Sequence, residues 1–370
     1  MNNQKLKHYP VAAPHIGNRE MAYVLDAVKS GWVSSLGPYI KRFEDAFAKF
    51  IGAKYALTTS SGTTALHLAL VCSGIKPGDE VIVPDLTFIA TANAVQYTGA
   101  KPIFVDIDPV TWCIAPESIR KAITPRTKAI IPVHLYGHPA EMGSIMRIAR
   151  KYDLKVIEDA AEAHGAEYKN KKVGNIGDVG TFSFYGNKII TTGEGGMITT
   201  NDREIYETAR FFRDQAMSSK KRYWHTAVGF NYRMTNIQAA IGMAQLEKIE
   251  KFIDRKRKIF GWYKKYLSGV DGIELNSEQP WAKNIFWMVC LFLGGDFKVS
   301  RDQLMVRLSR EGIDTRPFFY PNSQMPMYRS RVVNPIAEYV AQRGLNLPSG
   351  INLQERDVLW IVRNIKKCLK

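Results

Sequence analysis

Short apolar segments alternate with amphipathic segments between residues 54 and 200, and this alternation constrains the fold more than any other feature. Several apolar segments are almost continuously hydrophobic, as expected for strands of a sheet that helices cover on both faces. Strands are predicted at 55–58, 80–83, 102–105, 129–133, 154–157, 181–184 and 197–199. Helices are predicted at 63–73, 90–97, 116–122 and 141–152. The pattern therefore predicts an α/β domain with a mostly parallel sheet.

The remaining third of the chain has a different pattern. Isoleucine and leucine recur near helical spacing from 236 to 266, which predicts one long connecting helix. A β-rich run at 285–293 and helices at 301–311 and 354–369 follow it. We expect two domains, with residues 1–245 forming an N-terminal segment and the large domain. Residues 246–370 would form the connecting helix and a smaller α+β domain.

Composition limits the class of protein. The 370 residues are 45% hydrophobic and 23% charged, as in ordinary soluble proteins. No apolar run approaches the roughly 20 residues of a membrane span, and the N-terminus lacks the apolar stretch of a signal peptide, so we expect a cytoplasmic protein. The four cysteines and seven histidines show no metal-binding spacing. The net charge of +16 is spread along the chain without a nucleic-acid recognition motif, and a polyanionic small ligand would account for it as well as DNA.

Lys188 is the most informative single residue. It follows an apolar strand and lies in a polar, glycine-rich turn, Tyr-Gly-Asn-Lys-Ile-Ile-Thr-Thr-Gly-Glu-Gly-Gly. Another apolar strand ends in a carboxylate, Asp159. Ligands of parallel α/β sheets bind beyond the carboxyl ends of the strands, so the two side chains are expected at one site. A positioned amine near a positioned carboxylate suggests a Schiff-base cofactor whose ring nitrogen needs an anionic partner.

Two further segments fit such a cofactor. Ser60-Ser-Gly-Thr-Thr follows a strand and opens a helix, where backbone N–H groups suit a phosphate, although capping alone also explains the pattern. Phe88 follows a buried strand and could stack on a flat ring or simply belong to the core. No GxxxxGK[ST] or GxGxxG motif is present, which argues against a P-loop or Rossmann site.

Taken in order, the motifs resemble the DegT/DnrJ/EryC1/StrS family of nucleotide-sugar aminotransferases, which use pyridoxal phosphate. The resemblance runs from about residue 11 to 365 and rests on these segments: Ser-Gly-Thr-Thr-Ala-Leu from 61, Val-Pro-Asp-Leu-Thr-Phe from 83, Val-His-Leu-Tyr-Gly from 133, Ile-Glu-Asp-Ala-Ala-Glu-Ala-His-Gly from 157, Thr-Phe-Ser-Phe-Tyr-Gly-Asn-Lys from 181, Gly-Glu-Gly-Gly-Met from 193 and Asn-Tyr-Arg-Met-Thr-Asn from 231. It implies the aspartate aminotransferase fold (fold type I) for the large domain.

The resemblance also implies residue roles. Lys188 would bond covalently to the cofactor and move the proton, Asp159 would pair with the pyridinium nitrogen, and Phe88 would stack on the ring. The remaining cofactor residues would be Gly62, Thr63 and Ser183 at the phosphate, Glu162 at the ring oxygen, and Asn231 at the phosphate of the neighbouring subunit's cofactor. Active sites shared in this way imply a homodimer.

Two positions depart from the family, one at the cofactor and one at the sugar end of the site. Glu162 stands where many relatives carry a glutamine that binds the ring oxygen. Ser323 stands where relatives often carry a histidine, which puts a sugar contact from Ser323 in doubt. His164 is close in sequence to Asp159, and it could act in the reaction or only support the structure around the site. The substrate residues that the resemblance implies are Trp32, Ser35, Arg316 and Tyr320, although Arg316 could equally stabilise the fold.

The implied reaction carries the amino group of L-glutamate, through pyridoxamine phosphate, to C4 of a nucleotide-linked 4-keto-6-deoxyhexose. GDP-4-keto-6-deoxy-D-mannose is the preferred substrate, giving GDP-perosamine for O-antigen or other surface polysaccharide. UDP- or dTDP-4-keto-6-deoxyglucose is the main alternative. Related dehydratases carry histidine in place of the lysine, so Lys188 argues against that reaction. A DNA-binding regulator would need a recognition module that the motifs do not show.

Overall fold

A computed structural model of the protein describes residues 7–329 and 332–370. The strands are β1 Tyr55–Thr59, β2 Glu80–Pro84, β3 Lys101–Val105, β4 Thr127–Ile130, β5 Lys155–Asp159, β6 Glu167–Tyr168, β7 Lys171–Lys172, β8 Val179–Ser183, β9 Gly196–Thr200, β10 Ile273–Leu275, β11 Ala282–Lys283, β12 Val289–Leu293, β13 Arg316–Pro317 and β14 Gly344–Leu347. The α-helices are α1 Asn18–Lys29, α2 Pro38–Ile51, α3 Gly62–Cys72, α4 Ala90–Tyr97, α5 Pro116–Ala122, α6 Met142–Tyr152, α7 Arg203–Arg213, α8 Asn236–Leu246, α9 Ile249–Leu267, α10 Arg301–Arg310, α11 Pro335–Arg343 and α12 Glu355–Cys368.

A seven-stranded sheet in the order β1-β9-β8-β5-β4-β2-β3 forms the large domain. Its strands are parallel except β9, which runs antiparallel to both neighbours. Strands β2, β8 and β9 are buried at every position, which explains why they read as apolar runs rather than alternating ones. The prediction of a mostly parallel sheet is confirmed. The carboxyl ends of β5 and β8 lie side by side, because Asp159 pairs with Thr181.

The prediction of one long helix over 236–266 is wrong, because the chain breaks between α8 and α9 at Glu247 and Lys248. Both side chains at the break are bound to α1. Glu247 accepts a hydrogen bond from Tyr23 Oη at 3.0 Å, and Lys248 pairs with the buried carboxylate of Glu20. These tertiary contacts fix the break, and an apolar repeat in the sequence cannot report them.

The small domain contains an antiparallel four-stranded sheet, β10-β12-β14-β13. Helices α9, α10 and α12 bury a separate apolar core against it, which Tyr9 of the N-terminal segment joins. The strand predicted from 285 begins only at Val289. We propose that the domain boundary lies near residue 245, as the sequence pattern indicates.

Four helices were not predicted from the sequence: α1, α2, α7 and α11. Helix α2 carried a readable signal, since a proline stands at its first position and Gly52 ends it in the left-handed conformation (φ 85°). No helix within residues 7–329 and 332–370 is long and apolar enough to span a membrane.

Helix α2 is bound to strand β1, which leads to the site, through the buried carboxylate of Glu44. Glu44 accepts hydrogen bonds from Thr58 N at 2.9 Å, Thr58 Oγ1 at 2.8 Å and Arg213 Nη1 at 2.9 Å. We expect Glu44→Ala to lower the free energy of unfolding by about 3 kcal/mol, because Arg213 would keep a buried charge without its partner. Urea unfolding measures this. Lys41→Ala, which breaks an exposed ion pair on the same helix, is the control and should cost less than about 0.5 kcal/mol.

Candidate active site

A cavity of about 450 Å³ opens beyond the carboxyl ends of β5 and β8. Seven of the residues singled out from the sequence line it together: Gly62, Thr63, Phe88, Asp159, Glu162, Ser183 and Lys188. They come from four separate segments of the chain. Binding at the carboxyl edge of a parallel sheet is the expected arrangement for a ligand site in this class of fold.

Lys188 lies in the loop that follows β8, and the loop is pinned at both ends. Its backbone N–H donates to Tyr185 O at 2.9 Å, while Phe184 N donates to Gly195 O at 2.8 Å. The Lys188 side chain is only 12% exposed, and its Nζ lies 3.5 Å from Glu162 Oε1. The same nitrogen sits 4.0 Å from the centroid of the Trp287 ring. The amine is therefore held between a carboxylate and an aromatic face, at the cavity wall.

Asp159 ends β5 and is 5% exposed. Its Oδ2 accepts a hydrogen bond from Thr91 Oγ1 at 2.8 Å, and its Oδ1 accepts from Ala161 N at 3.2 Å. Burial raises the pKa of Asp159, and these two donors oppose the rise only in part. A carboxylate buried in this way is suited to a cationic ligand group, which would relieve the cost of its desolvation.

The N-terminus of α3 supplies unpaired donors to the same cavity. Ser61 caps the helix by accepting from Thr64 N at 3.2 Å, and Ala65 N donates to Ser61 O. The N–H groups of Gly62 and Thr63 are left over, because the first turn of a helix has no internal acceptors for them. A Cβ at Gly62 would lie 2.7 Å from Ser183 Cβ, so only glycine permits this close approach. Such a helix start suits a phosphate.

Glu162 is 5% exposed, and burial raises its pKa while Lys188 lowers it. Its Oε2 accepts a hydrogen bond from Tyr136 N at 2.9 Å, which orients the other oxygen toward Lys188. His164 lies behind the cavity and its Nε2 donates to Ser183 O at 2.8 Å. Burial lowers the pKa of His164 to about 3, so the ring is neutral. These contacts support the structural reading of His164, which holds the strand end that carries Ser183.

A second cavity, of about 720 Å³, adjoins the first and shares Thr87, Phe88 and Trp287 with it. Arg316 and Tyr320, which the resemblance implies as substrate residues, line this outer cavity. The Arg316 guanidinium also pairs with Asp314, so it has a local structural partner. Tyr320 is 55% exposed, and its ring is available to a ligand.

Ser323 lines neither cavity. Its Oγ donates to Asp85 Oδ2 at 2.6 Å and its N–H donates to Asp85 Oδ1 at 2.7 Å. Asn334 Nδ2 donates to the same carboxylate at 2.8 Å. These contacts support a structural role for Ser323.

We expect Ser323→Ala to lower the free energy of unfolding by about 1–2 kcal/mol, because a buried hydrogen bond to a carboxylate is lost. The KM for the substrate should change less than about threefold, since the hydroxyl is hydrogen-bonded within the protein. Thermal unfolding and steady-state kinetics measure the two effects. An unchanged stability together with a tenfold higher KM would mean that the hydroxyl contacts the substrate.

Trp32, Ser35 and Asn231 line neither of these cavities. Asn231 Oδ1 accepts from Arg233 Nη2 at 2.9 Å, and the Trp32 side chain is 51% exposed. The segment at 32–37 is held by Asn236, whose Nδ2 donates to Trp32 O at 2.8 Å. The roles of these three residues at the cofactor and the sugar stay predictions. They require that a second subunit bring the residues to its partner's site.

Sequence reasoning missed several residues of the site. Trp287 contacts Lys188 from 99 positions away along the chain, and Thr91, Tyr136 and Asn187 support or line the inner cavity. Tyr136 had a signal in the Val-His-Leu-Tyr-Gly segment, and Asn187 had one because it precedes Lys188 in the glycine-rich turn. Its Oδ1 is buried without a hydrogen-bond partner within the described part of the chain.

The fold agrees with what similarity to known proteins shows. Residues 14–366 match the model of the DegT/DnrJ/EryC1/StrS aminotransferase family, so the chain belongs to that family. It is 47% identical over 367 residues to a GDP-perosamine synthase of Caulobacter vibrioides, covering 98% of this chain and 99% of that protein. It is also 47% identical over 363 residues to a GDP-perosamine synthase of Escherichia coli O157:H7, with the same coverage.

The crystal structure of the aminotransferase TlmJ from Streptoalloteichus hindustanus superposes with a TM-score of 0.93 at 31% identity, over 98% of this chain and 99% of that one. The fold is accordingly that of the pyridoxal phosphate aminotransferases of fold type I.

Proposed function

We propose that the protein is a pyridoxal phosphate-dependent aminotransferase that moves the amino group of L-glutamate to C4 of GDP-4-keto-6-deoxy-D-mannose, giving GDP-perosamine. The observation that carries the proposal is the convergence of Lys188, Asp159 and the N-terminus of α3 on one cavity. An amine, a buried carboxylate and a phosphate-binding helix start are the three groups that this cofactor requires from a protein.

The donor set fits the cofactor residue by residue. Gly62 and Thr63 would hold the phosphate through backbone N–H groups, with Ser183 adding its hydroxyl. Asp159 would take the pyridinium nitrogen, which supplies the cation that its buried carboxylate is suited to. Phe88, which is 55% exposed at the cavity mouth, would cover the ring, and Glu162 would face the ring oxygen.

When bound, the cofactor supplies an electron sink that stabilises negative charge on the carbon next to the transferred amine. Lys188 would hold the cofactor covalently and, once released, carry the proton at its Nζ. Glu162 lies 3.5 Å from that nitrogen and is suited to hold or return a proton there, since burial raises its pKa. Trp287 would confine the amine to the cavity wall.

The choice of sugar nucleotide rests on similarity. Two relatives at 47% identity over nearly the whole chain are named GDP-perosamine synthases, and the outer cavity has room for a substituted sugar. Arg316, Tyr320, Trp32 and Ser35 are the proposed substrate residues. The protein would be a homodimer in which Asn231 reaches the cofactor phosphate of the second subunit. The enzyme would act in the cytoplasm, and its product would be used for O-antigen or another surface polysaccharide.

The test is amino transfer by the purified protein, loaded with pyridoxal phosphate, from L-glutamate to three substrates. GDP-4-keto-6-deoxy-D-mannose is expected to give the highest kcat/KM, and UDP- and dTDP-4-keto-6-deoxyglucose should be poorer by at least about tenfold. Product formation from the uridine or thymidine sugar alone would contradict the GDP assignment and leave the aminotransferase assignment intact.

A further inference from the structure

A buried lysine on α9 lies behind the wall of the inner cavity. Lys256 is 4% exposed, and its Nζ donates to Trp287 O at 2.8 Å and to Ser349 O at 2.7 Å. Desolvation lowers the pKa of Lys256 to about 7, and no carboxylate opposes this shift. Burying a lysine without an acidic partner lowers the stability of the fold, so the presence of Lys256 and its two carbonyl contacts calls for an explanation.

The first contact, with Trp287 O, connects Lys256 to a residue that lines the inner cavity. Trp287 is held at its carbonyl by Lys256 and at its indole, where Nε1 donates to Asn187 O at 2.9 Å. Its ring lies 4.0 Å from Lys188 Nζ, on the wall shared by the inner and outer cavities. The position of the ring relative to Lys188 therefore depends on where Lys256 holds the backbone.

The second contact, with Ser349 O, connects the loop after β14 to the same Lys256 amine. Ser349 N donates to Val11 O at 2.7 Å, and Ser349 Oγ accepts from Val289 N at 2.8 Å. Val11 belongs to the N-terminal segment and lines the outer cavity. One ammonium thus connects α9, the segment before β12, the loop after β14 and, through Ser349, the N-terminal segment.

We propose that Lys256 is a positioning residue for the proposed transamination, which holds the Trp287 ring against the Lys188 amine by anchoring the Trp287 and Ser349 carbonyls. The inference rests on the proposed use of pyridoxal phosphate. It differs from a general stabilising role, because it predicts an effect on the electronic environment of Lys188 and not only on unfolding.

The measurement is the pH midpoint at which the visible absorption band of the pyridoxal phosphate-loaded enzyme shifts, which reports the pKa of the nitrogen that joins Lys188 to the cofactor. Lys256→Met keeps the side-chain volume and removes the donors. Its midpoint is expected to fall by about half a pH unit, because an aromatic face that stabilises positive charge is no longer held in place. The kcat should fall about tenfold with a smaller change in KM.

Arg255→Met is the matched control. Arg255 is the preceding residue of α9 and also binds backbone carbonyls of the loop after β14, donating to Ile351 O at 3.0 Å and Leu353 O at 2.5 Å, but it does not touch Trp287. This variant should lose stability while keeping the midpoint within about 0.2 pH unit of wild type. If Lys256→Met does not fold, Lys256→Leu, which also has no donor, takes its place.

An unchanged midpoint in the Lys256 variant, or an equal shift in both variants, would overturn the proposal. A midpoint that rises would also overturn it, because it would mean that Lys256 acts through its positive charge rather than through Trp287. A wild-type protein that shows no visible band with pyridoxal phosphate would instead contradict the proposed function, so the two failures are distinguishable.

Discussion

Replacing Lys188 by alanine is expected to abolish amino transfer. The variant would lose both the covalent hold on the cofactor and the base that moves the proton, and we expect turnover to fall by about a thousandfold or more. The purified wild-type protein should be yellow and should lose that colour when L-glutamate is added. The variant should become colourless after dialysis.

Lys172→Ala is the control for this change. Lys172 also lies over an aromatic ring, 4.1 Å from the Phe50 centroid, but it lines neither cavity. Its replacement should leave colour and turnover within about twofold of wild type. Full turnover in Lys188→Ala would refute the assignment of Lys188.

Replacing Asp159 by asparagine is expected to have opposite effects on activity and on the stability of the cofactor-free protein. Without the carboxylate the pyridinium nitrogen loses its anionic partner, and kcat/KM should fall by about a hundredfold to a thousandfold. Asparagine can accept from Ala161 N through Oδ1 and donate to Thr91 Oγ1 through Nδ2 once the Thr91 hydroxyl turns, so the geometry of the site is retained.

The effect on stability follows from the direction of the pKa shift. Burial raises the pKa of Asp159 above the ordinary value of an aspartate, so its protonation favours the folded state only at acid pH. That contribution is lost as the pH rises through the folded pKa, and at neutral pH the buried charge opposes folding. The cofactor-free Asp159→Asn protein should therefore melt above cofactor-free wild type at pH 7, and pyridoxal phosphate should stabilise the variant less.

Asp85→Asn provides the contrast, because Asp85 accepts three hydrogen bonds from Ser323 and Asn334. Asparagine would place a donor against donors, and this variant should melt below wild type. If Asp159→Asn melted below wild type to the same extent, the carboxylate would be a structural group rather than a cofactor partner.

Much of the large domain could be predicted from local pattern. Strand β5 was expected at 154–157 and is found at Lys155–Asp159. Its apolar residues Val156 and Ile157 made it recognisable, and the strand extends past them through the buried carboxylates Glu158 and Asp159. The break at Glu247 could not be predicted, since it depends on Tyr23 and Glu20, more than 200 residues away.

The same limit applies to the site. Gly62, Asp159 and Lys188 were found because each lies at the end of a strand, in the turn after one or at a helix start, whereas Ser183 was predicted only from the resemblance to the family. Trp287 had no such signal: it joins the site only because the small domain folds back against the loop that carries Lys188. Trp32 and Asn231 remain predictions, since the chain alone does not bring them to either cavity.

The central claim is that Lys188 binds pyridoxal phosphate covalently. Loading the protein with the cofactor, reducing it with borohydride and mapping the peptides by mass spectrometry tests this directly. We expect one pyridoxyl group per chain, on the peptide that contains Lys188. Labelling of another lysine, or no labelling above that of the Lys188→Ala variant, would contradict the account.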